Sequence, residues 1–234
     1  MKGVIFDVDG VIIDVRDSYH TAILETIKYF SDKEMTKEYV REYKYKRAIN
    51  NDWDVTYELL RKSGISVEYD RVVEVFESIY RENRDKERLL LTRDFFETLK
   101  ERDIPLGVVT GRPKEALMYA FRKFNLLDIF DITVDEDDIE DPFLRKPNPF
   151  PLHMAVEIMG VDEFIYIGDT PADGDMIYFY RKMYGKPCKL IHYKEVQDMV
   201  DIGADMTAVN KDQLLNLLLS EVSLNREVER GYLP

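Results

Sequence analysis

Short apolar runs and longer amphipathic segments alternate along most of the chain. Six runs of mainly apolar residues have the length and composition of strands that are covered on both faces. They lie at residues 4–6, 106–109, 132–134, 164–167, 188–192 and 206–209. Segments with helical periodicity lie between them, at residues 113–124, 149–159, 172–184 and 211–219. The alternation predicts an α/β fold with a parallel, doubly wound sheet between two layers of helices.

The pattern is different between residues 14 and 86, where helical periodicity continues without a convincing strand. One helical face carries Tyr19, Ala22, Ile23, Ile27 and Phe30, and another carries Val72, Val73, Phe76, Ile79 and Tyr80. We therefore predict a helical cap domain at residues 14–86, inserted into a core domain made of residues 1–13 and 87–234. Residues 222–234 show no clear pattern and are predicted to be a docked or frayed tail.

Two aspartates, Asp7 and Asp9, directly follow the first apolar run. An aspartate at a strand end often has only a turn or capping role. However, two carboxylates about 4 Å apart repel each other by about 4 kcal/mol at an effective dielectric constant near 20. A site that keeps both ionised therefore requires a cation, and Mg²⁺ prefers oxygen ligands of this kind.

Further polar residues follow other predicted strands or precede predicted helices. Asp169 ends one apolar run and Asp173 comes four residues later, while Thr110 and Gly111 end another run. Asp169 or Thr170 could instead cap a helix that starts near Pro171, and the Thr110 segment could be an ordinary N-cap. Lys146, before a proline-rich helix start, could be a surface lysine. Parallel strands end at one edge of the sheet, so we expect these residues to form one site there.

Charge and composition narrow the classes of partner. The 234 residues are 45% apolar and 34% charged, with a net charge of -13, which argues against a general nucleic-acid surface. Cys188 is the only cysteine, so no internal disulfide is expected. The sequence contains neither an apolar run of the roughly 20 residues that a membrane span requires nor room for a signal peptide before the first strand. We predict a cytoplasmic protein without a membrane or nucleic-acid partner.

Four short segments together resemble the signature motifs of the haloacid dehalogenase-like hydrolases. They are DVDGV at Asp7, VVTG with Thr110, KPNP with Lys146, and GDTPAD from Gly168 to Asp173, and they occur in the family's order. The helical insertion is similar to the C1-type cap of subfamily I, which implies a mobile lid over a Rossmann-like core. The chain is most similar to the phosphatase branch, with its phosphoglycolate phosphatase-like and phosphoglucomutase-like members. Val11 departs from the pattern, since the family commonly has Thr there.

The resemblance implies a role for each acidic residue. Asp7 would be the nucleophile that forms an aspartyl-phosphate, and Asp9 would be the general acid and then the general base. The side chains of Asp7 and Asp169 and the main-chain carbonyl of Asp9 would hold Mg²⁺, with Asp173 coordinating the ion or lying just outside its ligands. Family dehalogenases lack an aspartate at the position of Asp9, so cleavage of phosphate esters is favoured over cleavage of carbon–halogen bonds.

The resemblance also implies that Thr110, the main-chain NH of Gly111 and Lys146 hold the phosphoryl oxygens. The predicted function is a magnesium-dependent phosphatase that acts on a small phosphorylated metabolite, as a monomer or homodimer. Two alternatives stay open: a phosphosugar mutase that uses the same intermediate, and a binding or regulatory protein with weak or no catalysis.

Residues of the insertion are candidates for substrate specificity. They are Arg16, Asn50, Asn51, Asp52 and Trp53. Trp53 could instead pack inside the insertion, and Arg16 could be a solvated residue at a helix start. Arg112 could contact substrate or form a surface ion pair. The histidines, His20, His153 and His192, are scattered and are not expected to be catalytic.

Overall fold

A computed structural model describes residues 1–47, 49–195 and 200–230, except for the side chains of residues 223–230. The strands are β1 Lys2–Phe6, β2 Ile13–Asp14, β3 Arg88–Leu89, β4 Leu106–Val109, β5 Ile132–Val134, β6 Glu163–Gly168, β7 Cys188–Tyr193 and β8 Met206–Ala208. Six of them form a parallel sheet in the order β5-β4-β1-β6-β7-β8. The predicted α/β class and the six predicted strands are therefore confirmed.

Helices cover both faces of this sheet. The covering helices are α5 Arg93–Lys100, α6 Lys114–Lys123, α7 Phe150–Met159, α8 Pro171–Met183 and α9 Lys211–Arg230. The four earlier helices, α1 Tyr19–Ser31, α2 Lys37–Lys46, α3 Asp52–Lys62 and α4 Tyr69–Asn83, lie between β2 and β3. Successive residues of β1 point to opposite faces. Phe6 packs edge-on against Phe96 of α5, with 5.4 Å between the ring centroids, whereas Ile5 shares the other buried cluster with Leu152 of α7 and Met176 of α8. Because both faces are buried, the strands are apolar throughout.

The C-terminal helix is longer than the sequence pattern predicts. The pattern ends at residue 219, but α9 continues to Arg230, and a docked or frayed state of residues 222–230 stays a prediction. Lys2 explains part of the extension, because its Nζ donates to the main-chain carbonyl of Glu221 at 3.0 Å, and Lys189 pairs with the Glu221 carboxylate at 2.6 Å. Residues 231–234 of the predicted tail lie outside the described residues. None of the helices that the structure describes has both the length and the apolar character needed to cross a bilayer.

Helices α1 to α4 lie between two short strands that pair with each other. β2 and β3 are antiparallel, with Ile13 opposite Leu89 and Asp14 opposite Arg88, so the chain leaves and re-enters the core at adjacent points. Tyr19 of α1 stacks on Tyr80 of α4 with 4.3 Å between ring centroids. The structure thus contains a helical insertion at the predicted place, while its division from the core as a separate domain, residues 14–86, stays a prediction.

Candidate active site

Three neighbouring strands end side by side at one edge of the sheet. Asp7 directly follows β1, Thr110 follows β4 and Asp169 follows β6, and β1 is the strand between the other two. The main-chain NH of Asp7 still donates to the carbonyl of Ile167 in β6, at 2.9 Å, so the backbone of β6 holds Asp7 in place. Parallel pairing therefore brings together residues that are more than 100 positions apart in sequence, as predicted.

A tight turn after Asp7 brings the first motif against Asp169. The carbonyl of Val8 accepts from the NH groups of Ile12 and Ile13 at 2.8 and 2.9 Å, and Gly10 adopts a left-handed conformation with φ of +80°. A Cβ atom on Gly10 would lie 2.1 Å from Oδ2 of Asp169. Glycine is required at this position for both reasons, the backbone conformation and the close approach of the carboxylate.

Asp173 is fully buried and its oxygens are already occupied. Oδ2 accepts from the hydroxyl of Thr170 at 2.6 Å and from the NH groups of Thr170 and Asp169 at 3.0 and 3.2 Å. Oδ1 accepts from the hydroxyl of Tyr166 at 2.8 Å. Burial alone would raise the pKa of Asp173, but the charge of Lys146 and these hydrogen bonds lower it below its ordinary value. Thr170 also caps α8, so the motif has a capping role as well as a place in the site.

Lys146 joins two of the carboxylates. Its Nζ lies 2.9 Å from Oδ2 of Asp7 and 2.6 Å from Oδ1 of Asp173, and its side chain is only 2% exposed. The residue comes from the loop that connects a 3₁₀ turn, Pro142–Leu144, to α7. The alternative of a surface lysine is wrong, because a buried ammonium between two carboxylates belongs to the site.

The cluster holds more negative charge than Lys146 can balance. Burial raises the pKa of Asp7 to about 7, and the charges of Asp173 and Asp9 add to this, although Lys146 opposes it. Burial and the same kind of carboxylate repulsion raise the pKa of Asp169 well above its ordinary value. A cation placed among these oxygens would relieve both effects.

The donor set fits a small, hard cation. Oxygen atoms of Asp7, Asp169 and Asp173 all lie within 4.8 Å of one another. Oδ1 of Asp169 is buried and has no hydrogen-bond partner among the described residues. A buried carboxylate oxygen without a donor is costly unless something else satisfies it, so these residues could hold a metal ion.

Thr110 and Gly111 form the opposite side of the cluster. The hydroxyl oxygen of Thr110 accepts from the NH of Arg112 at 3.1 Å, so its hydrogen can point to a ligand. Helix α6 begins only at Lys114, whose NH donates to Oδ2 of Asp137 at 2.8 Å. The capping alternative for Thr110 is therefore wrong. Thr110 and Gly111, which are predicted to bind the phosphoryl group, lie in the loop before α6 and not in its first turn.

Comparison with known proteins settles the family. Residues 4–176 match the sequence family described as haloacid dehalogenase-like hydrolase. The chain belongs to the haloacid dehalogenase-like hydrolases. This hydrolase is 28% identical over 181 residues to the phosphoglycolate phosphatase of Aquifex aeolicus, covering 74% of this chain and 78% of that protein. It is 27% identical over 179 residues to the pyrophosphatase PpaX of Halalkalibacterium halodurans, covering 73% and 75%.

One solved structure and one longer relative complete the comparison. The phosphatase Tt82 from Thermococcus thioreducens is 27% identical and superposes with a TM-score of 0.64, covering 93% of this hydrolase and 99% of Tt82. This chain covers only 40% of the imidazoleglycerol-phosphate dehydratase of Phytophthora nicotianae, to which it is 28% identical over 187 residues. The predicted family and its core fold are confirmed.

A cavity lies between the sheet edge of this hydrolase and the helical insertion. Asp7, Asp9 and Thr110 line its floor, and the predicted candidates Arg16 and Trp53 line its upper wall. Arg16 is not simply solvated, since it makes a bidentate ion pair with Asp14 at 2.6 and 2.9 Å. The indole NH of Trp53 donates to Glu77 at 3.1 Å, so Trp53 packs in the insertion and also faces the cavity.

The polar residues before α3 also reach the cavity. Asn51 caps α3 through its Oδ1, which accepts from the NH of Trp53 at 2.8 Å, and its Nδ2 donates to Glu136 of the core at 3.0 Å. Asp52 pairs with Lys44 at 2.6 Å. A Cβ atom on Gly111 would lie 2.1 Å from Nδ2 of Asn50, so the insertion touches the core directly at the Thr110–Gly111 loop.

Helix α2 supplies residues that the sequence analysis missed. Lys37, Arg41 and Lys44 line the cavity, and the hydroxyl of Tyr45 is buried there without a hydrogen-bond partner in the described structure. The signal was present in the sequence, because positions 37, 41 and 44 follow the i, i+4, i+7 spacing of one helical face. Val40 is the only buried residue of α2, so apolar periodicity gave no reason to examine this segment.

The histidines lie in three different environments. His20 lines the cavity, but burial lowers its pKa to about 4, so it is neutral near pH 7. His153 stacks on Tyr184 with 3.9 Å between ring centroids, and His192 is buried in β7. Arg112 is 1% exposed, so the alternative of a surface ion pair is wrong for this residue.

Proposed function

We propose that this hydrolase is a magnesium-dependent phosphatase that acts on a small phosphorylated metabolite through an aspartyl-phosphate on Asp7. The observation that carries the proposal is the buried contact of Lys146 with Asp7 and Asp173, beside the unpartnered oxygen of Asp169. It combines a nucleophile, a positive charge for phosphoryl oxygens and a place for a metal ion. Relatives named phosphoglycolate phosphatase and pyrophosphatase support this class of substrate.

The two aspartates of the first motif divide the chemistry. A carboxylate oxygen of Asp7 attacks phosphorus, the bond from phosphorus to the leaving oxygen breaks, and Asp9 gives its proton to that oxygen. In the second step, the Asp9 carboxylate takes a proton from water, the water oxygen attacks phosphorus, and the bond between phosphorus and Asp7 breaks. Asp9 is then protonated again and Asp7 is a free carboxylate.

The carboxylates of Asp7 and Asp169 and the main-chain carbonyl of Asp9 would hold the magnesium ion. When bound, the ion supplies positive charge that offsets the repulsion between the nucleophile and the phosphoryl oxygens. The oxygens of Asp173 already accept from Thr170, Tyr166 and main-chain NH groups, so we place Asp173 outside the ligands. There it orients Lys146 and the loop that carries Asp169.

The remaining loop residues would bind the transferred group. Lys146, the Thr110 hydroxyl and the Gly111 NH surround the position next to Asp7 and offer positive charge and donors for phosphoryl oxygens. Lys37 and Arg41 of α2 place further positive charge in the cavity of a chain whose net charge is -13. A cytoplasmic location, the absence of a nucleic-acid partner and a monomeric or homodimeric state stay predictions.

The test of this function is an assay of the wild-type protein against a panel of phosphate monoesters, with Mg²⁺ and after treatment with EDTA. The proposal expects release of inorganic phosphate that depends on Mg²⁺ and is lost in Asp7→Asn. Conversion of a sugar phosphate to its isomer without phosphate release would replace the phosphatase by the mutase. Inactivity toward the whole panel with Mg²⁺ would favour a binding protein.

Metal binding should change stability in a pH-dependent way. The folded, metal-free protein holds a proton on Asp7 up to about pH 7, whereas an unfolded chain releases it near pH 4. Stability of the metal-free protein therefore falls as the pH rises through this window. A Mg²⁺ concentration of about 100 times the dissociation constant at pH 8 should add about 2.7 kcal/mol at that pH. The same concentration should add less at pH 5, because the proton on Asp7 competes with the ion.

Asp169→Asn tests whether Asp169 is responsible for the stabilisation of the folded protein by Mg²⁺. We expect this variant to unfold at higher urea than the wild type in EDTA at pH 8, by about 1–3 kcal/mol, because it removes an unpartnered buried charge. It should also lose the response to Mg²⁺. Asp175→Asn is the matched control, since Asp175 is exposed on α8. An unchanged Mg²⁺ response in Asp169→Asn would contradict the assignment.

Gly111→Ala tests the contact between the insertion and the core. The added methyl group meets the amide end of the Asn50 side chain, which must change its rotamer to make room, at a cost of about 0.5–1.5 kcal/mol. We expect the cost in urea unfolding, or in kcat/KM if the insertion moves away to relieve the clash. Asn50→Ala in the same chain should recover most of it. Equal losses with and without Asn50 would show that the contact is not the cause.

A further inference from the structure

Arg112 is the largest side chain that the structure buries completely. A guanidinium group is buried at a high cost in hydration, so its partners must be carboxylates in good geometry. Its Nε and Nη2 donate to Oδ1 of Asp9 at 2.9 and 2.5 Å. Its Nη1 and Nη2 donate to Oε2 and Oε1 of Glu87, each at 3.2 Å. Four of its five hydrogens are thus directed at two carboxylates.

The geometry at Asp9 leaves one carboxylate oxygen available. Both bonds from Arg112 go to Oδ1, and no described residue donates to Oδ2. The Asp9 side chain is 30% exposed and lines the cavity above Asp7. Arg112 therefore fixes the orientation of the carboxyl group from behind and leaves its other oxygen facing the cavity.

Glu87 holds Arg112 in turn. Glu87 is 2% exposed and its Oε1 also accepts from the hydroxyls of Ser18, at 2.9 Å, and Tyr80, at 3.3 Å. Ser18 directly precedes α1 and Glu87 directly precedes β3, so these contacts lie where the chain enters and leaves the helical insertion. The arginine is therefore anchored through Glu87 at the junction between the core and the helical insertion.

We infer that Arg112 is a positioning residue that orients the Asp9 carboxyl group for proton transfer, and that Glu87 fixes Arg112 in that position. The inference rests on the proposed function. In the first step the Asp9 proton moves to the leaving oxygen as the bond between phosphorus and that oxygen breaks. Proton transfer requires a hydrogen-bond distance to the reacting oxygen, so a carboxyl group free to rotate would act less often.

The experiment compares two phosphate esters whose leaving groups differ. An alkyl phosphate needs the proton of Asp9 because an alkoxide leaves poorly, whereas p-nitrophenyl phosphate releases a stabilised phenolate without it. General acid catalysis contributes about 10²–10⁴-fold. We expect Arg112→Ala to lower kcat for the alkyl ester about 10²-fold and for p-nitrophenyl phosphate by less than about 10-fold, with little change in KM. Guanidinium ion, added below concentrations that unfold the protein, should restore part of the alkyl rate in Arg112→Ala and none in Asp9→Asn.

Two further variants distinguish a loss of positioning from a loss of folding. Arg112→Met together with Glu87→Gln removes both buried charges at once, and its leaving-group discrimination should match that of Arg112→Ala. Arg93→Ala is the matched control, because Arg93 also pairs with two carboxylates, Asp128 and Glu97, but lies outside the cavity. Arg93→Ala should leave the ratio of the rates for the alkyl ester and p-nitrophenyl phosphate unchanged.

The outcomes separate this inference from the proposed function. Equal loss of both esters in the Arg112 variants would overturn the positioning role in favour of a structural one. A rise in KM with unchanged kcat would overturn it in favour of substrate binding. A wild type that is inert with Mg²⁺ toward these two esters and the whole panel of phosphate monoesters would instead remove the proposed function itself.

Discussion

Asp7→Asn is expected to lose phosphatase activity by about 10⁴-fold or more, the scale seen when a nucleophile is removed from an enzyme that forms a covalent intermediate. An amide has almost the shape of the carboxylate, so the cavity should stay intact. The charge that attacks phosphorus, however, is gone. The measurement is kcat/KM on the best ester of the panel, together with a search for phosphate covalently bound to the wild-type protein.

A measurement of unfolding shows whether Asp7→Asn loses activity because the nucleophile is missing or because the fold is damaged. Burial raises the pKa of Asp7 to about 7, so at pH 8 the metal-free wild type carries a buried charge that Asp7→Asn lacks. The variant should therefore unfold at equal or higher urea in EDTA. Asp175→Asn, with the same chemical change at an exposed position, should keep full activity. Substantial turnover by purified Asp7→Asn would refute the aspartyl-phosphate.

Lys146→Met should produce the second large effect, on folding as well as on catalysis. Without the ammonium, Asp7 and Asp173 are left as buried carboxylates with no positive partner. Breaking a buried pair by removing one member costs about 3–5 kcal/mol. Loss of a group that stabilises the transferred phosphoryl charge should also lower kcat by about 10²–10³-fold. Urea unfolding at pH 8 and steady-state kinetics measure the two effects.

A second substitution distinguishes the two roles of Lys146. Asp173→Asn in the Lys146→Met chain removes one of the unpaired charges, so stability should partly recover, whereas activity should not. Lys186→Met is the matched control, because Lys186 pairs with Glu157 at 2.6 Å on the surface, where such pairs contribute little. A cost below about 1 kcal/mol for Lys146→Met would mean that the pair is not stabilising in the folded protein.

Together these variants describe a site that is built at the expense of stability. Asp7 and Asp169 have raised pKa values because burial and mutual repulsion disfavour their charged forms. Such strain at a functional site is offset by the rest of the fold, here by a sheet with both faces buried. A bound metal ion would complete the charge balance that Lys146 begins.

Local sequence patterns predicted most of the fold and the position of the site. Apolar runs too short for helices, separated by amphipathic segments, predicted all six parallel strands, because strands buried on both faces leave no polar alternation. The position of the polar residues at strand ends and helix entries predicted a single site, because the carboxyl ends of parallel strands lie at one edge of the sheet. Gly10 and the capping role of Thr170 are likewise local, since backbone conformation and helix starts depend on neighbouring residues.

Contacts between segments that are distant in sequence could not be predicted from the sequence. Asp9 and Arg112 are separated by 103 positions, and Asn50 meets Gly111 only because the insertion folds back over the sheet edge. Whether a lysine or an arginine is solvated or buried depends on which loops face it. Periodicity describes one element at a time, whereas the ion pairs of Lys146 and Arg112 each join loops from different elements, and their geometry exists only when the sheet, the loops and the insertion are packed together.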